Sequence, residues 1–167
     1  MMKRLLLIAP FLLLTACGFQ PVYGVNKYEA TGVENRLAQI EIGGIPDREG
    51  QYLRNALIDR FYREGRPQNP SLRLQLTPVT ESKSNLDITI NADATRGQLL
   101  LATTMTLSDI KTGKKLLTRN LQSIASYNIL ASEFTNRVSE QNARENLLDD
   151  LARQTEQQIA LYLKRPQ

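Results

Sequence analysis

Gln98-Leu99-Leu100-Leu101-Ala102-Thr103-Thr104-Met105-Thr106-Leu107 is the stretch on which the architecture turns. Successive side chains of a strand point to opposite faces, so Leu99, Leu101, Met105 and Leu107 share one face. Upstream, Leu72, Leu74 and Leu76 alternate with Arg73, Gln75 and Thr77, the pattern of a half-buried strand. Pro78 has no N–H to give a ladder, so it marks that strand's end or a bulge on an edge. Leu86, Ile88, Ile90, Ala92 and Ala94 alternate with Asp87, Thr89, Asn91 and Asp93 before Arg96-Gly97. Downstream, Thr112-Gly113 turns into a last strand from about Leu116 to Tyr127. Its alternation is untidy, which predicts a bulge or a strand contacted on both faces.

Helical patterns flank this β-rich middle. Leu37 to Ile42 is a short predicted strand, ended by Gly43-Gly44. Pro46-Asp47 then opens a helix, with Asp47 as the expected N-cap. Its apolar face is Leu53, Ala56, Leu57 and Phe61, spaced by three and four, and Gly65 and Pro67 stop it. The last third, from Ser132 or Ser139 to Lys164, reads as one long helix with the stripe Leu147, Leu148, Leu151, Thr155, Ile159 and Tyr162 or Leu163. Arg144, Glu145, Asp149, Arg153, Glu156 and Gln157 form its opposite, solvated face. The fold class is therefore α/β (α+β), a two-layer sandwich in the order β-α-β-β-β-α. About four strands make a mixed sheet with both helices on one face. The other face, rich in Thr, Asn, Gln and Arg, is left to meet water or a polar partner.

The chemistry is bounded by what is missing. There is no His in 167 residues and one Cys. That removes Ser-His-Asp and Cys-His catalysis, the HExxH zinc site and any imidazole ligand. Gly43-Gly44 has no phosphate-loop pattern around it, and Asp149-Asp150 reads as a solvated helix face. No catalytic residue, metal ligand or cofactor site is expected, and the chain is read as no enzyme.

The first residues have a separate job. Lys3-Arg4 precede an apolar run, Leu5 to Leu14, too short for the ~20 residues that cross a bilayer. The run ends in Leu14-Thr15-Ala16-Cys17, which resembles the bacterial lipobox. Residues 1–16 are then a cleaved lipoprotein signal peptide, 17–35 a lipidated tether and 36–167 one sandwich domain. Cys17, whose thiolate is a good nucleophile, takes the S-diacylglycerol and, after cleavage, the N-acyl chain. Two or more such chains anchor a protein stably. No thiol remains free afterwards, which suits an oxidising compartment. Gly18, in the enteric sorting pattern that this start resembles, points to the outer membrane. Without Lys3 and Arg4 the 21 basic residues fall to 19 against 17 acidic, a net charge of +2 instead of +4. That is no nucleic-acid-binding balance.

Cys17-Gly18-Phe19-Gln20-Pro21-Val22-Tyr23-Gly24 is similar to the mature start of the lipopolysaccharide-assembly lipoproteins of the LptE family, which read Cys-Gly-Phe-x-Pro-aliphatic-Tyr-Gly. The resemblance continues at Ser132-Glu133-Phe134, Asn142-Ala143-Arg144-Glu145, Leu151-Ala152 and Ala160-Leu161-Tyr162-Leu163. It implies an outer-membrane lipoprotein facing the periplasm and a barrel lumen. Its partner is the β-barrel LptD, which family members plug and help to assemble, and some of them also bind lipopolysaccharide. Basic side chains are what lipid A phosphates require. The candidates for contact with lipopolysaccharide or barrel are Arg96, Lys111, Lys114, Lys115 and Arg119. The competing reading of 109–119 is a hairpin tip kept soluble by its lysines. Two other functions stand beside the family's: an accessory lipoprotein of another envelope complex, and a lipid-anchored hydrolase, which the missing His disfavours.

Overall fold

The computed structural model describes residues 30–63, 65–88 and 94–164. Contacts divide the chain into Met1–Thr31 and Gly32–Gln167, and the second unit carries the fold. Its elements are α1 (Ala30–Ala38), β1 (Ile40–Ile42), α2 (Asp47–Phe61), β2 (Leu72–Leu76), β3 (Thr80–Ile88), β4 (Ala94–Asp109), β5 (Lys115–Asn128) and α3 (Glu133–Lys164). The two-layer mixed α+β architecture is as expected, with one strand and one helix more. Helix α1 occupies 30–38, where the sequence suggests a tether and then a strand from Leu37. Its one apolar pair, Val33 and Leu37, spans a single turn and gives no readable period.

Strand β4 is the spine. Its 16 residues span about 50 Å at ~3.3 Å per residue. All of one flank pairs with β5, from Arg96↔Asn128 to Ser108↔Lys115. The other flank is shared. Near one end, here called the base, β2 pairs Leu72↔Asp109 to Leu76↔Met105. Towards the other end, the tip, β3 pairs Thr80↔Ala102 to Ile88↔Ala94. Strand β1 lies parallel to β2 at the base, Ile40↔Leu72 to Ile42↔Leu74.

Between β2 and β3, three residues, Thr77, Pro78 and Val79, oppose only Thr103 and Thr104. This is a β-bulge, and it places the N–H-less proline where no ladder bond is needed. Threonines close the gap. Thr77 N–H donates to the Thr104 carbonyl (3.0 Å), Thr104 N–H to Thr77 Oγ1 (2.9 Å), and Thr103 Oγ1 to the Thr77 carbonyl (2.8 Å). The extra residue reverses the alternation. On β2 the even positions Leu74 and Leu76 face the helices, while on β3 the odd ones, Glu81 and Lys83, do. The second irregularity is the one that the untidy last strand predicts. Leu107↔Leu117 is followed by Ser108↔Lys115, leaving Leu116 unpaired.

Both longer helices pack on one sheet face. The buried cluster joins Ile40, Leu74, Leu99, Leu101, Met105 and Leu107 of the sheet to Leu53, Leu57 and Phe61 of α2 and Leu147, Leu151 and Ile159 of α3. Helix α3 starts after Ser132, whose Oγ accepts from Thr135 N–H (3.4 Å), so the earlier of the two serines is the start. It runs from tip to base, where Arg36 of α1 donates to the Leu163 carbonyl (2.7 Å). Helix α2 departs from expectation at its start. Pro46 is the N-cap and no side chain caps the helix, while Asp47 is its first residue, at φ +67°. The outer edge of β1 is closed by α2. The Tyr62 hydroxyl accepts from Ile42 N–H (3.0 Å) and donates to the Ile40 carbonyl (2.7 Å), and Arg54 donates to the Gly43 carbonyl (3.2 Å).

Candidate interaction surfaces

The sheet face turned away from the helices is the first surface. The register puts Gln75, Thr80, Ser82, Ser84, Gln98, Thr104, Thr106, Thr118, Asn120, Gln122 and Ser126 on it. Thr104 Oγ1 donates to Asn120 Oδ1 across the strands (3.0 Å). The polar open face that the alternation predicts is thus present, and Thr77, Pro78, Thr80, Asn120 and Gln122 line an open depression of about 530 Å³ on it. One apolar row crosses it, Leu100 opposite Ile124, with Ile124 51% exposed.

The second surface is the β4–β5 turn at the base. Asp109 organises it. Its Oδ1 accepts from Thr112 N–H (2.7 Å) and Thr112 Oγ1 (2.9 Å), and Gly113 N–H donates to the Asp109 carbonyl (2.9 Å). Those bonds, the backbone one foremost, hold the carboxyl below its ordinary range, so it stays ionised and engaged inside the turn. Gly113, at φ +69°, supplies the left-handed position. Lys111, Lys114 and Lys115 are exposed on this turn, and none is ion-paired among the described residues. Arg119 sits four residues along β5, exposed, on the helix side of the sheet opposite Met105, with Nη1 on the Thr118 carbonyl (2.9 Å).

Arg96 does not belong with them. It pairs with Asn128 at the tip, the other end of β4. The length of one strand therefore splits the five basic candidates into a base group of four and a single tip residue. Cys17 lies outside the described residues.

A charged cluster occupies the tip, and it includes Arg144, which the helix pattern places on the solvated face. Arg144 of α3 grips Glu81 of β3 with two bonds, Nε–Oε2 (2.7 Å) and Nη2–Oε1 (3.0 Å), and reaches Glu140 Oε1 (2.6 Å). Lys83 closes the ring, bonding Glu140 and approaching Glu81 (3.4 Å). The Arg144 side chain is only 12% exposed, so it is no solvated arginine. Arg144 holds Glu81 below the usual carboxylate range, and Lys83, then Arg144, hold Glu140 there. The Tyr127 ring lies over Gly97, where an added Cβ would fall 2.5 Å from its Cζ, and its hydroxyl points to Glu140 (3.5 Å). Burial, and after it the Glu140 charge, push the Tyr127 phenol up. Glu156, also expected in solvent, is buried against Arg60 of α2 (3.2 Å). The missed signal is Pro78. Read as a bulge, it turns Glu81 and Lys83 towards the helix, where Glu140 and Arg144 stand one turn apart.

Among the described residues no helix is long and apolar enough to cross a membrane, and no group of three or more His, Cys, Asp or Glu is placed to hold a metal. A sheet with helices on one face and a hydroxyl- and amide-rich open face defines a two-layer sandwich with one bare sheet face. Solved structures share it. A candidate lipoprotein from Caulobacter crescentus superposes with a TM-score of 0.63 at 23% identity, covering 81% of this chain and 98% of that one. A minor lipoprotein from Acinetobacter baumannii gives 0.60 at 24%, over 73% and 90%. The rare lipoprotein B from Shewanella oneidensis gives 0.59 at 10%, over 73% and 93%. No curated protein sequence matches the chain. Residues 37–163 match the family described as LptE, lipopolysaccharide-assembly, and the chain belongs to that family.

Proposed function

We propose that this protein is an outer-membrane lipoprotein that binds and plugs the lipopolysaccharide-translocating barrel LptD, helping it to assemble and to insert lipopolysaccharide into the outer leaflet. The observation that carries the reading is the family match over nearly the whole folded domain, joined to a bare sheet face of Thr, Ser, Asn and Gln. A water-filled lumen lined by polar side chains accepts such a face without desolvating unpaired groups. In this arrangement Arg96, at the tip, is the basic candidate for the lumen or for lipid A phosphates there. Arg119 and the lysine turn remain at the barrel mouth. Two-state anchoring and plugging need no cofactor beyond the lipid on Cys17 and no catalytic step.

The test is a mild-detergent pull-down of the intact lipoprotein with mass spectrometry of what accompanies it. A large outer-membrane barrel in stoichiometric amount is the expected result. A different envelope complex in its place would make the chain an accessory of that complex. For the anchor, Cys17→Ser is expected to abolish the acyl mass shift and membrane fractionation while leaving the domain folded. Acyl chains retained on that variant would end the Cys17 assignment.

A further inference from the structure

We infer that, before the protein meets a barrel, the lysine turn of residues 110–115 docks on the anionic phospholipid headgroups of the membrane that holds the anchor, so that the free domain stands base-down with its tip pointing away. This rests on the proposal that Cys17 carries the lipid. The placement comes from where the chain enters the fold. Val33 and Leu37 of α1 pack at the base, Glu34 pairs with Arg63 just beyond α2 (3.7 Å), and Arg36 holds the last turn of α3. Arg36, Gln39, Ser71, Asp109, Leu116 and Tyr162 line one hollow of about 300 Å³, so the foot of the lysine turn and the end of α1 are neighbours.

Length then decides orientation. The 13 residues from Cys17 to Glu29 reach at most about 45 Å when fully extended. Strand β4 alone spans about 50 Å from base to tip. A domain lying tip-down would need more chain than there is, whereas base-down needs little. The turn thereby brought to the surface carries Lys111, Lys114 and Lys115 against one acid, Asp109, which is bonded within it. Carried on one short turn, the three lysines act together on a charged surface, whose attraction falls off over a Debye length, ~8 Å at physiological salt. An acyl anchor with a basic patch beside it is a two-signal attachment.

The experiment uses the full chain in vesicles doped with headgroup spin label, carrying a fluorophore at either Thr112→Cys or Ser84→Cys. The vesicles are phosphatidylcholine alone or with added phosphatidylglycerol, and the mass of each preparation records whether Cys17 is acylated. Position 112 is expected to be quenched when phosphatidylglycerol is present. Salt, or Lys111→Gln with Lys114→Gln and Lys115→Gln, should relieve that quenching, and position 84 should stay unquenched. For unacylated chain, vesicle partitioning should fall roughly fivefold per lysine, on the order of 100-fold for all three. Equal quenching at 112 and 84, quenching indifferent to phosphatidylglycerol, or binding to lipopolysaccharide but not to these vesicles would each overturn the inference. Should Cys17 prove unmodified, the anchor proposal fails by itself. Flotation of the same chain with phosphatidylglycerol vesicles then judges the turn: lysine-dependent flotation keeps it, and none ends it.

Discussion

At the base of the sheet, Ile40, Leu74, Met105 and Leu107 share a buried cluster with Leu53, Leu57 and Ile159; at the tip, Glu81 and Lys83 of β3 meet Glu140 and Arg144 of the same long helix. One helix thus grips one sheet by two kinds of contact, and on the β2–β3 flank the bulge at Thr77–Val79 is where they change over. Apolar burial is non-directional and weakly dependent on pH. A ring of half-exposed charges is directional, and it is sensitive to protonation and to salt. The tip is therefore the part of the fold whose attachment conditions can alter while the base holds.

The largest expected effect breaks the base. Leu151→Ala or Leu57→Ala removes a fully buried side chain and should cost ~2–5 kcal/mol, read by denaturant unfolding. A cost near zero would mean that the helix–sheet core is not what holds the domain. Arg144→Met tests the tip. It keeps the apolar stem and leaves Glu81 and Glu140 facing each other with Lys83 alone, at an expected ~1–2 kcal/mol. Its signature is regional. Hydrogen-exchange protection should fall along β3 while β1 and β2 keep theirs. A uniform loss would deny the tip any separate character.

Acid should sharpen the same contrast. Glu81 and Glu140 are held below the free glutamate value of about 4.3, so they bind protons less readily folded than unfolded. Their stabilisation is present at neutral pH and is lost as the pH falls below about 4. Protection factors along β3 should drop there before those of β1 and β2, and in Arg144→Met, where Lys83 alone still holds the carboxylates, this early drop should shrink. The smallest effect is at the turn. Lys114→Glu with Lys115→Glu changes two exposed, unpaired lysines and should leave stability within ~0.5 kcal/mol. A larger loss would place those lysines in the fold instead of on its surface.

Much of this was legible in the residues, for local reasons. Period-two alternation at 72–76 and 99–107 and three-four spacing at 53–61 and 147–163 report which side is buried, and burial needs no partner identity. What escaped depended on distance or on single dihedrals. Pro78 is compatible with an end or a bulge, and only the pairing with Thr103 and Thr104 chooses, reversing which residues of β3 face α3. Arg144 and Glu81 are 63 residues apart, and no local pattern connects them. Asp47 has the composition of a cap, but the extended residue before the helix is Pro46, which takes the cap position and leaves Asp47 as the first residue of the helix. Of the site, the chemistry of the lysine run at 111–115 was readable. The separation of Arg96 from it was not, because that required knowing that β4 runs unbroken between them.

The hydroxyl of Tyr62 has a consequence for the protein before it finds any partner. A sheet whose last strand shows bare N–H and C=O groups is a template on which another copy can add a strand, and then another. At β1 those groups are already engaged, Ile42 N–H and the Ile40 carbonyl by one phenol and the Gly43 carbonyl by Arg54. Tyr62→Phe would keep the ring and its packing but uncover the Ile42 N–H and the Ile40 carbonyl, leaving a short ribbon open to growth. At that edge the fold thus carries its own stopper against strand addition by a second copy.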